Sequence, residues 1–121
     1  MTKTILTVDD SRTMRDMLNL ALSEAGYRVV AAVDGAHGLD VLRAENPDII
    51  ITDINMPRLD GFGFIESVRS DLTYRSIPIL VLTTENAPEK KDRARRAGAT
   101  GWIVKPFNAE KLVSAVRRVA A

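Results

Sequence analysis

Short apolar runs alternate along the chain with longer stretches in which apolar residues recur every three to four positions. The first run, residues 4–8, reads as a strand. Met14, Met17, Leu18, Ala21 and Leu22 then follow the i, i+3, i+4, i+7, i+8 stripe of an amphipathic helix, with Ser11 as its cap and Gly26 as its stop. Residues 27–32 form a second strand and 36–45 a second helix, which Asn46-Pro47 ends. The third strand, 49–52, carries three consecutive isoleucines and is apolar on both faces, as a central strand should be. A helix over 61–69, an apolar strand over 78–82, a helix over 88–97 closed by Gly98, and a strand over 102–104 follow. Leu112, Ala115, Val116, Val119 and Ala120 make one stripe on a last helix.

Five strands alternating with five helices predict an α/β fold: a doubly wound, five-stranded parallel sheet with helices on both faces. With 121 residues, one domain over 1–121 is expected. Ligands of such sheets gather beyond the carboxyl ends of the strands, where strand order reverses. Asp9 and Asp10 follow the first strand, Asp53 the third, Thr83 and Thr84 the fourth, and Lys105-Pro106 the fifth. Neighbouring first and third strands, about 4.8 Å apart, would bring three carboxylates together. Like charges so close call for a cation.

Composition narrows which cation. The chain has no cysteine and a single histidine, His37, which rules out thiolate chemistry, structural zinc and a multi-histidine metal site. Oxygen ligands alone suit a hard divalent ion, and few ligands with retained waters favour Mg²⁺ over Ca²⁺. Asp9 and Asp10 could instead belong to a helix start, but Ser11 is better placed to cap. Lys105, two strands from Asp53, needs a sharp turn to deliver its ammonium, for which a cis Lys105–Pro106 bond is a candidate. Mg²⁺, carboxylate, threonine hydroxyl and ammonium together suit a transferring phosphoryl group, with Asp53 as the nucleophile. His37 falls away from these strand ends and reads as a surface residue.

The segments VDDSRTMR (8–15), DINMPRLDG (53–61), LTTE (82–85) and GATGWIVKPF (98–107) together resemble the receiver domains of two-component response regulators, especially single-domain chemotaxis regulators of the CheY type. The resemblance implies a flavodoxin-like sheet of order 2-1-3-4-5. It makes Asp53 the phosphoacceptor, and Asp9, Asp10, Asp53 and the Asn55 backbone carbonyl the Mg²⁺ ligands. Lys105 would contact the phosphoryl group and Thr83 would be the switch hydroxyl. Trp102 would be the switch aromatic, where tyrosine or phenylalanine is usual. Asn55 and Glu85 match positions that tune aspartyl-phosphate hydrolysis, and this pair implies a brief phosphorylated state. The output face would join the fourth helix, fifth strand and fifth helix. Basic residues crowd there: Lys90, Lys91, Arg93, Arg95 and Arg96, with Lys111, Arg117 and Arg118, while Trp102 completes the partner face with Lys90, Lys91, Arg95 and Lys111.

The partners implied are a chemotaxis-type histidine kinase and a flagellar motor switch protein or a phosphatase, met by a cytoplasmic monomer. Catalysis would be confined to self-catalysed phosphotransfer and hydrolysis rather than enzyme turnover. A phosphate sink or relay receiver without motor output is the alternative. A metal-dependent aspartyl-phosphate phosphatase is more remote, because Asn55 stands where a general-acid aspartate is needed. A flavodoxin-like phosphate cradle would be repelled by Asp9-Asp10. With 17 basic and 16 acidic residues, the net charge of +1 gives no global drive toward nucleic acid or an anionic membrane, and no apolar run spans a bilayer.

Overall fold

A computed structural model describes residues 2–120. Met1 and Ala121, the two ends of the unit expected over 1–121, lie outside the described residues. The elements are β1 (Thr4–Val8), α1 (Arg12–Glu24), β2 (Arg28–Ala32), α2 (Gly35–Glu45), β3 (Ile49–Thr52), α3 (Gly61–Ser70), β4 (Ile79–Thr83), α4 (Pro88–Ala97), β5 (Gly101–Val104) and α5 (Ala109–Ala120). All strand pairs are parallel, in the order β2-β1-β3-β4-β5. The expected doubly wound architecture and its strand order are both present.

Strand alternation sorts the core into two layers. Leu6, Val8, Ile50, Ile79 and Val81 face Leu42, Phe64, Ile65, Val68 and Ala94 of α2, α3 and α4. Ile5, Ile49, Ile51, Leu80 and Leu82 face Leu18, Leu22, Leu112 and Val116 of α1 and α5. The isoleucines of β3 are buried on both faces, which explains why that strand reads as unbroken apolar sequence rather than as an alternation.

Local chemistry sets the element ends. The Ser11 hydroxyl accepts from the Met14 amide at 3.2 Å and starts α1. Asp34 does the same for α2 through the His37 amide at 2.8 Å, so that helix begins one residue earlier than expected. The strand expected over 27–32 loses Tyr27, whose amide instead bonds the Leu22 carbonyl at 3.1 Å and finishes the turn after α1. β4 is displaced by one residue from 78–82, because proline lacks the donor for a ladder position while Thr83 pairs in register with Val104. A 3₁₀ turn at Leu72–Tyr74, absent from the sequence reading, is capped by the Asp71 side chain, which accepts from the Thr73 amide at 3.0 Å, and is tied to the end of α2 by the Tyr74 hydroxyl, which donates to Asn46 Oδ1 at 2.8 Å. Among the described residues no helix is long and apolar enough to cross a membrane.

Candidate functional site

The register Val8↔Thr52 sets the ends of β1 and β3 side by side, so Asp9, Asp10 and Asp53 leave the sheet at the same edge. Carboxylate oxygens of the three lie within 4.8 Å of one another. This is the point where the chain, having added β2 on one side of β1, adds β3 on the other. Glycine at 61 lets α3 start hard against this edge: a Cβ there would stand 2.2 Å from the Asp53 carbonyl oxygen. The Gly61 amide donates to the Ile54 carbonyl at 2.8 Å, which closes the loop.

Lys105 reaches the cluster from β5. The Lys105–Pro106 peptide bond is cis. Its ammonium donates to Asp9 Oδ2 at 2.8 Å and to Asp53 Oδ2 at 3.0 Å. All three side chains are nearly out of solvent, at 11%, 2% and 10% exposure. Burial pushes the Asp9 carboxyl up, and the nearby Asp53 charge adds to this; hydrogen bonds from Lys105 and the Ser11 amide only partly offset it. Burial alone would pull Lys105 down, but its hydrogen bonds to Asp9 and Asp53 outweigh that and hold it above its ordinary value.

Three carboxylates against one ammonium leave two negative charges uncompensated. Asp10 is exposed and turns no side-chain bond toward the protein among the described residues. An all-oxygen donor set with that charge deficit and one unpaired carboxylate fits a hard divalent cation such as Mg²⁺.

The residues flanking the cluster form a second group. Asn55 Nδ2 donates to Glu85 Oε1 at 3.0 Å, linking the loop after β3 to the loop after β4. The fully buried Thr83 hydroxyl accepts from the Glu85 amide at 3.3 Å. Trp102 pairs with Val81 across β4 and β5 and packs on the α4 side of the core; its indole N–H is buried with no acceptor among the described residues. His37 is exposed in the first turn of α2, where its Nδ1 accepts from the Val33 amide, and it makes no hydrogen bond to the three carboxylates among the described residues.

The basic helix α4 divides between two grooves. Lys91 and Arg95 line one with Trp102, and Lys111 lines the adjoining one with Trp102. Arg93 instead stacks over Phe62 of α3, 4.1 Å from the ring centroid, and with Arg96 lines the α3–α4 groove. The output face read from sequence therefore loses Arg93 and Arg96, because helical spacing turns them toward α3.

Three residues of the site region escaped the sequence reading. Arg15 Nη1 donates to the Asp9 carbonyl at 2.8 Å from the first turn of α1. Asp34, with its side chain 1% exposed, pairs with Arg58, which adopts φ 65° in the loop after β3. That pair, with the Gly35 amide on the Leu59 carbonyl at 3.1 Å, straps the Asp53 loop to α2. The cue for Arg58 was its place in the turn-forming MPRLDG segment.

Known proteins place this arrangement. Over 98% of this chain and 99% of the other, the fold superposes on the Vibrio cholerae chemotaxis protein CheY4 with TM-score 0.94 and 45% identity. It likewise resembles the receiver domain of sensor histidine kinase PA1611 from Pseudomonas aeruginosa, solved with a magnesium ion coordinated in its active site cleft. That likeness has TM-score 0.91 and 26% identity over 99% of this chain and 98% of that one. Response regulator MprA of Mycolicibacterium vanbaalenii is 40% identical over 113 residues, which cover 93% of this chain and 48% of MprA. The chain thus spans about half the length of the curated relatives it matches. Residues 5–117 match the response regulator receiver domain, and the chain belongs to that family.

Proposed function

We propose that the protein is a phosphoacceptor response regulator in which Asp53 takes a phosphoryl group from a histidine kinase with Mg²⁺ bound by Asp9, Asp10, Asp53 and the Asn55 carbonyl. The observation that carries this reading is the Lys105 ammonium held between Asp9 and Asp53 at the carboxyl edge of the sheet. The Ile54 amide donates to Asp53 Oδ1 at 2.6 Å, leaving Oδ2, on the Lys105 side, to attack phosphorus. As the O–P bond forms, the bond from phosphorus to the donor nitrogen breaks and its electron pair returns to that nitrogen. Lys105 then compensates charge on the phosphoryl oxygens. When bound, Mg²⁺ supplies further positive charge there.

Once Asp53 carries the phosphoryl group, the Thr83 hydroxyl at the end of β4 is the donor offered to its oxygens. New charge-assisted bonds to Lys105 and Thr83 are worth a few kcal/mol, enough to shift a two-state equilibrium by about 10². The readout is the α4–β5–α5 face, where Lys91, Arg95 and Lys111 offer positive charge around the Trp102 indole to an acidic or amphipathic partner segment, with Lys90 at its margin engaged with Glu85. The likeness to CheY4 supports a chemotaxis setting, with a motor switch protein or a phosphatase as partner and a phosphate sink as the other output.

Intact mass after incubation with acetyl phosphate and Mg²⁺ tests the chemistry. One phosphoryl adduct is expected, lost in Asp53→Asn and in EDTA. An adduct that persists in Asp53→Asn would refute the assignment.

A further inference from the structure

We propose that Lys90 is a positioning residue for hydrolysis of the aspartyl phosphate, acting through Glu85; this rests on the phosphoacceptor reading of Asp53. Lys90 stands in the first turn of α4, where the helix end is positive and a cation is disfavoured. Among the described residues no side chain caps that end. The lysine is offset there by reaching back to Glu85 Oε1, 2.9 Å from its ammonium.

The same Oε1 accepts from Asn55 Nδ2 at 3.0 Å. One carboxylate oxygen is thereby pinned from two sides, by the loop that follows Asp53 and by α4, while Oε2 takes no side-chain bond among the described residues.

In hydrolysis a water oxygen attacks phosphorus and the P–O bond to Asp53 breaks. The bonding pair returns to the Asp53 carboxylate, and both water protons leave on dihydrogen phosphate. Oε2 of a pinned Glu85 accepts a hydrogen bond from the incoming water and holds it at the mouth of the site. Glu85 therefore need not carry a proton, only keep its place. Orientation of this kind accelerates a step without new chemistry. Without Lys90 the Glu85 side chain, 27% exposed and tied only by Asn55, is free to turn into solvent.

The test is the decay of the phosphoryl adduct, followed by intact mass at fixed Mg²⁺ after acetyl phosphate is removed. Lys90→Met is expected to slow decay about two- to fivefold, the range a single exposed ion pair can supply. Lys90→Arg should restore the rate, and Arg43→Met, a charge removal on α2, should leave it unchanged. In a Glu85→Ala background, Lys90→Met should have no further effect, which separates action through Glu85 from a loss of positive charge or of α4 stability. Unchanged decay in Lys90→Met, or the same slowing without Glu85, overturns the assignment of Lys90 alone. No adduct in the wild-type protein would overturn the phosphoacceptor reading beneath it.

Discussion

Two buried aspartates of this protein respond to their surroundings in opposite ways. Asp34 accepts hydrogen bonds from the His37 amide and from Arg58, and its carboxyl lies below the ordinary 3.8. A carboxyl depressed in the folded state adds stability above its unfolded value, and that stability is lost as pH falls through the folded value. Asp9 is raised above 3.8 by burial, so its ionisation opposes folding at neutral pH. In EDTA at pH 7, Asp9→Asn is therefore expected to raise the urea midpoint and Asp34→Asn to lower it, the second loss fading only below pH 3.8. Equal shifts of one sign would contradict this account. The Asp9, Asp10, Asp53 and Lys105 positions were legible in the sequence because each stands where a short apolar run stops. The Asp34–Arg58 pair was not, because it joins residues 24 apart through the packing of two loops.

Elements with strong periodicity were found close to their true bounds, and the errors fall where a single bond decides. The run of three isoleucines gave β3 its central place, because only a strand covered on both faces can carry such a run. Tyr27 was misplaced into β2 because alternation cannot report that its amide belongs to the end of α1. The turn at Leu72–Tyr74 is capped by Asp71, whose side chain accepts from the Thr73 amide, a short local signal that carries no apolar period, while the Tyr74 hydroxyl reaches Asn46 at the end of another helix. The approach of α3 to β3 depends on Gly61. Gly61→Ala places a methyl group against main-chain atoms that cannot rotate away, and is expected to cost about 2–3 kcal/mol. Chemical denaturation would measure the loss, and a stability within a few tenths of wild type would show that the loop can yield.

Across the whole molecule the charges nearly cancel, yet two negative charges remain concentrated at one edge of the sheet. A cation that binds only the folded state should therefore stabilise the protein. At tenfold the dissociation constant the gain is about 1.4 kcal/mol, or roughly 4–8 °C in melting temperature for a chain of this size. Calorimetry with Mg²⁺ and then EDTA checks this, and the shift should vanish when Asp53 and Asp10 are both changed to Asn. The partner face could be read only in part from sequence, since a run of basic residues does not say which of them face α3. The structure gives that face one further property. Trp102 is the protein's only tryptophan, and its indole N–H is buried beside the α4–β5 groove with no acceptor among the described residues. Indole fluorescence from this protein thus originates at a single place on its surface, so emission colour and quenching report occupancy of that groove with no dye attached.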